Sequence, residues 1–232
     1  MRLQLTIGLV LLAAAASSPA AENTLSEQEK TDGWRLLFDG KTLDGWKADG
    51  TAPSKRPVEA GSINPHLCGG SGMYYVRRTW GDFILALDFK ITKNCNSGVF
   101  VRTWPLDPGP YKDVGWNALE VQILDSPGAG YGDTGAIYDL VKPKRNALKP
   151  LGQWNHLVVT CDKNLVLVEL NGEKITRMDL DEWTQKNKRP DGSPHKFDRA
   201  WKDHPRQGYI GLQDHGADCW FKNIKLKPLG TL

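Results

Sequence analysis

Long apolar runs and closely spaced cysteines are both missing from most of this sequence. Beyond the first twenty residues no run approaches the roughly 20 apolar residues that a membrane-spanning helix needs, so no transmembrane segment is expected there. Zinc sites use close pairs such as Cys-x-x-Cys, and the spacing of the four cysteines matches no such pattern. We therefore expect neither a zinc site nor a catalytic cysteine among Cys68, Cys95, Cys161 and Cys219.

Clustered charge of one sign is also lacking. The 30 basic and 27 acidic residues leave a formal net charge of +3, and the basic residues are dispersed. Nucleic-acid-binding surfaces concentrate Lys and Arg, so nucleic acid is not an expected partner. No calcium-loop spacing is present, and no cofactor is predicted. A divalent metal held by carboxylates such as Glu120 and Asp125 stays open.

The N-terminus has the pattern of an export signal. Arg2 is followed by an apolar run at 5–16 that is too short to span a bilayer, and then by Ser18-Pro19-Ala20, a small-x-small cleavage site. We expect cleavage after Ala20, which leaves 21–232 as one soluble domain in the periplasm or outside the cell. No cysteine follows the run, so no lipid anchor is expected. Disulfides are permitted in such a compartment, and four cysteines allow three pairings.

Helix signals are scarce after the signal peptide, and strand signals are abundant. Ser26 and Glu29 have the spacing of a capping box, which predicts one short helix at 26–32. The clearest strand is 82–92, where apolar side chains occupy every second position. Asn171-Gly172 is a strong hairpin signal, and it predicts that strands 153–161, 165–170 and 174–178 form a meander. The chain is therefore predicted to be all-β.

Polar residues interrupt the apolar strand at 115–125. Strand side chains alternate between faces, so Val121 and Ile123 point to a core while Glu120 and Gln122 point away from it. Trp116, just upstream, would supply a platform on which a sugar ring stacks. For a single strand the simpler interpretation is the solvated face of an antiparallel sheet.

Two further strands repeat this arrangement. In 98–103 the valines face inward, and in 208–215 Ile210 and Leu212 do so, while polar residues occupy the opposite positions. If the three strands share a sheet, their polar residues form one surface with a carboxylate, cations and amides, as a sugar-transforming site requires. The residues of this predicted surface are Arg102, Glu120, Gln122, Gln213 and His215.

Several motifs resemble the 3-keto-disaccharide hydrolase domain family, and they occur in order along nearly the whole mature chain. They are Trp34 to Trp46, Asn96-Ser97-Gly98-Val99-Phe100-Val101-Arg102, Glu120-Val121-Gln122-Ile123-Leu124-Asp125, Thr134-Gly135-Ala136-Ile137-Tyr138, Gly152-Gln153-Trp154-Asn155, Asn171-Gly172, and 211–216 with 221–224. The resemblance implies a concanavalin A-like jelly-roll β-sandwich of two antiparallel sheets. It also implies that a glycan lies on the concave face of one sheet.

The same resemblance implies activity on glycosides that carry a ketone at C3 of the sugar. That ketone acidifies the C2 proton, so a base removes it, the glycosidic oxygen leaves, and water adds to the unsaturated sugar. Under this hypothesis Glu120 or His215 is the base, and the other residue or Asp125 protonates the departing oxygen. Arg102 stabilises the enolate. The remaining substrate-binding candidates are Gln122, Gln213, Trp116 and Tyr138.

Two other functions stay open on the residues alone. Endoglycanases of this fold carry Glu-x-Asp-x-x-Glu on one strand, and here the corresponding letters are Glu120-x-Gln122-x-x-Asp125. A retaining glycanase needs carboxyls about 5 to 5.5 Å apart, and residues five apart share a strand face only across a bulge. A noncatalytic lectin-like module needs neither acid nor base, and the fold hosts many binders. Glu120 and His215 together favour an enzyme.

Overall fold

The computed structural model describes residues 21–49, 57–103 and 118–230. Within these ranges α-helix is confined to Glu27–Thr31. It begins at the predicted capping box, in which the Glu29 amide donates to Ser26 Oγ and the Ser26 amide donates to the Glu29 carboxylate. None of the helices in these ranges has the length and apolar character of a membrane span. The predicted signal peptide and Trp116 lie outside the described residues.

Strands account for most of the regular structure. The described strands are β1 Arg35–Leu36, β2 Trp46–Asp49, β3 Val58–Glu59, β4 Ser62–Ile63, β5 Gly72–Trp80, β6 Phe83–Ile91, β7 Asn96–Thr103, β8 Leu119–Leu124, β9 Asn155–Asp162, β10 Leu165–Leu170, β11 Glu173–Asp179, β12 Gly208–Gln213 and β13 Cys219–Pro228. Single 3₁₀ turns lie at Pro65–Leu67, Leu180–Glu182 and Trp201–Asp203.

The strands form two antiparallel sheets, which confirms the predicted jelly-roll sandwich. The eight-stranded sheet has the order β11-β10-β9-β6-β13-β4-β3, with β1 also paired to β13, and the five-stranded sheet has the order β2-β5-β12-β7-β8. The predicted meander is present as β9, β10 and β11. Strands β12 and β13 follow each other in the chain but lie in different sheets, because the turn between them crosses the sandwich.

The apolar faces of the two sheets meet in one core. The five alternating apolar residues of β6, from Phe83 to Ile91, are at most 1% exposed, as their pattern predicts. Val99 and Val101 of β7 and Val121 of β8 come from the opposite sheet and are equally buried. Burying each such side chain stabilises the fold by about 1.5 to 3 kcal/mol. The remaining face of β7 and β8 is thus the one turned away from the core.

A bulge in β7 changes the direction of Arg102. Thr103 pairs with Tyr209 and Phe100 with Gly211, so three steps along β7 match two along β12. Arg102 has a φ of 51°, a left-handed conformation that is uncommon for a bulky residue. A bulge of this kind re-aims the side chains that follow it. The expected place of Arg102 on the polar face, beside Phe100, is therefore wrong.

The Arg102 guanidinium is fully buried at one end of the sandwich. It donates to the carbonyls of Gly81 (3.2 Å) and Lys163 (2.9 Å) and to Asp82 Oδ1 (3.0 Å). The same Asp82 oxygen accepts the Lys163 amide at 2.9 Å. Lys163 lies between β9 and β10, while Arg102 belongs to the other sheet. The contacts therefore join the two sheets, and Arg102 has a structural role in place of the predicted substrate contact.

We predict that Arg102→Met destabilises the protein strongly. Removing one partner of a buried charge pair costs about 3 kcal/mol or more, which corresponds to a fall in the thermal midpoint of about 6 °C or more for a chain of this size. Calorimetry measures this midpoint. Arg145→Met is the matched control, because the Arg145 side chain is 66% exposed and should tolerate the same change. Equal midpoints for the two variants would contradict the structural role.

Candidate active site

The three strands that carry the predicted polar residues are neighbours, in the order β12-β7-β8. On the face turned away from the core, which we call the outer face, their residues form two rows across the strands. The first row contains Tyr74, Gly211, Phe100 and Glu120, and the second contains Gly72, Gln213, Gly98 and Gln122. The predicted grouping of Glu120, Gln122 and Gln213 on one face is present.

These polar residues are buried although they lie outside the core. Glu120 is 6% exposed and Gln122 is 3% exposed. The solvated face of an ordinary antiparallel sheet would leave such side chains in water. Burying polar groups costs free energy unless they are hydrogen-bonded, so their retention on this face needs a reason other than solubility. A binding or catalytic site supplies that reason.

Glycine makes room for the Glu120 carboxylate. A Cβ atom built on Gly98 would lie 2.7 Å from Glu120 Oε1 and 2.9 Å from its Cγ, so the Glu120 side chain extends across Gly98 towards the second row. Gly98 has an ordinary φ, so the backbone conformation does not require glycine. Glycine is required because a larger side chain would overlap Glu120. A Cβ on Gly211 would likewise meet the Tyr74 ring at 2.6 Å. The Tyr74 ring stacks on Phe100 with 7° between the planes.

Tyr138 lies directly opposite Glu120. The segment 134–138 pairs with the free edge of β8: Gln122 N donates to Ala136 O, Gly135 N donates to Gln122 O, and Tyr138 N donates to Glu120 O, each at 2.9 Å. The bridge between Val121 and Ile137 fixes the register. Because opposite residues share a face, the Tyr138 phenol is brought to the Glu120 side chain. The expected site residue Tyr138 thus joins the first row.

The phenol of Tyr138 is held in its protonated form. Burial, followed by the negative charge of Glu120 and of Asp139, raises the pKa of Tyr138 above its usual value near 10. Lys196 Nζ lies 4.6 Å from the centre of the Tyr138 ring. A protonated phenol beside a carboxylate is a hydrogen-bond and proton donor next to a base. This pair can carry acid–base chemistry.

The amides of the second row are held differently. Gln122 Nε2 donates to Asn96 Oδ1 at 2.8 Å, which fixes the direction of the side chain. Ser97 Oγ donates to the carbonyl of Gln213 at 2.8 Å and secures the end of β12. The Gln213 Oε1 atom is buried and has no hydrogen-bond partner within the described ranges. It is therefore available to accept a hydroxyl of a ligand.

Asp125 lies on a different side from Glu120. The pairing of β7 with β8 is regular from Asn96 to Val101, so no bulge brings residue 125 onto the outer face. Asp125 Oδ2 instead accepts the Asn94 amide at 2.8 Å, and its own amide donates to Cys95 O at 2.9 Å. Asp125 therefore stabilises the turn between β6 and β7. This position does not fit the expected role of an acid that protonates the departing oxygen.

His215 lies in an exposed bend after β12, not in the strand as expected. The strand ends at Gln213, two residues before His215. The histidine that does approach the end of β12 is His66, whose Nδ1 is 3.2 Å from Asp214 Oδ1. Among the described residues, no three His, Cys, Asp or Glu side chains are grouped as metal ligands.

Sequence reasoning missed Asn96 and Lys196. Alternation backwards from Gly98 would have placed Asn96 on the outer face, so the signal for it was present. Lys196 lies in the irregular stretch 183–200, where no helical or strand periodicity predicts which way a side chain points. Only the folded chain shows that Lys196 approaches Tyr138.

The site can now be compared with known proteins. Residues 33–227 match the sequence model described as the 3-keto-alpha-glucoside-1,2-lyase-like domain. The chain belongs to this family. The resemblance seen in the sequence is thus confirmed, and so is the prediction of an enzyme that acts on glycosides.

Relatives of this family member match it over most of their length. A 3-keto-disaccharide hydrolase of Bacteroides thetaiotaomicron is 29% identical, in an alignment that covers 95% of this chain and 87% of the relative. Two crystal structures of presumed glycosyl hydrolases from Parabacteroides distasonis are also similar. The first is 32% identical with a TM-score of 0.72, covering 84% of this chain and 99% of that one. The second is 26% identical with a TM-score of 0.70, covering 90% and 100%.

The contact between Glu120 and Tyr138 can be tested by titration. We predict that Glu120→Gln lowers the pKa of the Tyr138 phenol, because the carboxylate charge that opposes phenolate formation is removed. NMR of ring-labelled tyrosine across alkaline pH measures this, with Tyr138→Phe used to assign the signal. Glu169→Gln, on the other sheet, is the control and should leave that pKa where it is. An unchanged Tyr138 pKa in Glu120→Gln would show that the two groups are not coupled.

Proposed function

We propose that this chain cleaves glycosides whose sugar carries a ketone at C3, by removing the C2 proton and eliminating the glycosidic oxygen. The observation that carries the proposal is the buried Glu120 carboxylate opposite the protonated phenol of Tyr138. Membership of the 3-keto-alpha-glucoside-1,2-lyase-like family supports it, as does the relative named 3-keto-disaccharide hydrolase.

Glu120 is the base in this proposal. The C3 ketone makes the C2 proton acidic, so a carboxylate removes it and the electron pair is delocalised onto the ketone oxygen as an enolate. The enolate then re-forms the ketone while the bond between C1 and the glycosidic oxygen breaks. Gly98 leaves space for the carboxylate to lie over the sheet where a sugar ring would rest. Because Glu120 is 6% exposed, few water molecules compete with the substrate for its carboxylate.

Tyr138 is the acid. Its phenol is protonated at neutral pH, since its pKa lies above the usual value near 10, so it has a proton to give to the departing oxygen. The ammonium of Lys196 near the ring offsets the negative charge that the phenol acquires. Arg102, which was predicted to stabilise the enolate, is fully buried at one end of the sandwich and has no role in this proposal. Water then adds at C1 of the unsaturated product, with the proton transfers reversed.

Gln122 and Gln213 bind the sugar hydroxyls. They stand in the same row on either side of Gly98, so both flank the Glu120 carboxylate that extends over that glycine and can reach a ring bound against it. Gln122 is oriented by Asn96, and Gln213 Oε1 accepts a hydroxyl hydrogen. Such a row discriminates between sugars, because a ligand that lacks the matching hydroxyl leaves buried amides without partners.

The endoglycanase alternative is weakened by the position of Asp125. Direct hydrolysis of an unmodified glycoside needs a second carboxyl about 5 to 9.5 Å from the first. Asp125, the residue that the motif offers, caps a turn and lies off the outer face. The lectin-like alternative remains as an outcome of the experiments below, since the same row would bind a sugar without cleaving it.

We predict that Glu120→Gln and Tyr138→Phe each lower turnover of a 3-keto-glucoside by about 10²-fold or more, because each removes one proton transfer. Glu169→Gln is the matched control and should keep full activity. A primary isotope effect with deuterium at C2 would identify the proton that is removed. The unoxidised parent glucoside, tested in parallel, should not be cleaved.

Other outcomes separate the alternatives. Cleavage of the parent glucoside at the rate of the ketone would identify a glycanase. Binding of the ketone without turnover by the native protein, measured by calorimetry, would identify a lectin-like module. Full activity of both variants would place the chemistry elsewhere in the chain.

We also predict that Gly98→Ala lowers turnover by about 10²-fold while leaving the fold intact. The added methyl group would overlap Glu120 Oε1, so the carboxylate must shift by roughly 1 Å, which is enough to cost that much in rate. Gly81→Ala is the matched control, since the nearest atom to its Cβ would be 3.7 Å away. Steady-state kinetics and the thermal midpoint check both points, and an active Gly98→Ala variant would contradict the assignment of Glu120.

A further inference from the structure

Cys95 and Cys219 lie together between the two sheets. Cys219 is the first residue of β13 and pairs with Ile91, the last residue of β6. The chain then turns back, and the Cys95 amide donates to the carbonyl of Thr92 at 3.2 Å. This turn brings Cys95 next to Cys219, and both are free thiols in the structure. Two neighbouring thiols are the arrangement from which a disulfide forms on oxidation.

The surroundings of these cysteines shield them from solvent and separate them from the candidate site. Both are at most 1% exposed, and neither lies on the outer face that carries the proposed chemistry. Burial raises the pKa of the Cys219 thiol well above its usual value, so little reactive thiolate is present once the chain has folded. Ser97, next to Cys219, links this position to the carbonyl of Gln213.

The other two cysteines have different neighbours. Cys68 Sγ faces the carbonyls of Gly70 (3.8 Å) and Gly72 (3.5 Å). Cys161 lies on β9, fully buried, near the charges of Arg102 and Asp82. These contacts do not place a second sulfur beside either residue. Of the three pairings that four cysteines allow, the geometry supports one bridge and two remaining thiols.

We propose that Cys95 and Cys219 form a disulfide, while Cys68 and Cys161 stay reduced. Two S–H bonds break and one S–S bond forms, and the two electrons and two protons pass to a disulfide oxidant, which is reduced to two thiols. Because both sulfurs are sealed in the folded protein, the bond forms while the chain folds. The export signal predicted at residues 1–20 would deliver the chain to a compartment where such oxidants act.

The bridge would connect the turn before β7 to the first residue of β13, which belongs to the other sheet. More than half of the chain lies between the two cysteines. Closing a loop of that length restricts the unfolded chain strongly, so the bond should stabilise the native state. This proposal is independent of the proposed function, since it concerns neither Glu120 nor Tyr138.

Mass spectrometry of the refolded protein tests the pairing directly. The purified chain is unfolded with reductant and refolded in a mixture of oxidised and reduced glutathione. It is then unfolded again, and its free thiols are alkylated before digestion. We expect a peptide pair linked through Cys95 and Cys219, with alkylation at Cys68 and Cys161. Four alkylated cysteines, or a linked pair that contains Cys68 or Cys161, would overturn the proposal.

The thermal midpoint gives a second readout with matched variants. The oxidised native protein should melt about 5 °C or more above the reduced protein. Cys95→Ser should abolish this difference, whereas Cys68→Ser should retain it. If Cys95→Ser does not fold, the peptide mapping of the native chain decides the question. A difference that persists in a folded Cys95→Ser variant would contradict the bridge.

Discussion

The buried guanidinium of Arg102 is the interaction on which one end of the sandwich depends. A fully buried cation is tolerated only when its N–H groups are hydrogen-bonded. Here they donate to two backbone carbonyls and to the Asp82 carboxylate. The partners come from both sheets, so the arginine determines how the sheets meet there. The bulge that aims Arg102 inward follows the two rows of the candidate site, so those rows keep the regular register of β7 and β8.

The outer face combines two needs that usually conflict. In the proposed mechanism the Glu120 carboxylate is shielded from water, yet it must remain within reach of a substrate. Glycines at 98 and 211 reconcile these needs, because they remove side-chain volume under Glu120 and under the Tyr74 ring. As a result, the Glu120 carboxylate and the Tyr74 ring lie close against the backbone of the sheet.

Much of the fold was readable because it depends on local alternation. Strand 83–91 and hairpin 165–179 follow the period of two, and Glu120, Gln122 and Gln213 were placed correctly by the same rule. The rule failed at Arg102, because the bulge adds one residue to β7 and turns the Arg102 side chain to the other side of the sheet. It also failed at His215, because the strand ends two residues earlier. The contacts of Tyr138 and Lys196 could not be read, because they depend on chain segments that fold back from outside the strands.

The segment at 134–138 does more than bring Tyr138 to Glu120. By pairing with β8 it occupies backbone donors and acceptors that would otherwise lie open at the edge of the five-stranded sheet. An open edge is a template for pairing with other chains, and covering it prevents aggregation. The same backbone hydrogen bonds therefore bring Tyr138 to Glu120 and cover the edge of the sheet. Detachment of this segment would separate Tyr138 from Glu120 and expose that edge in one event.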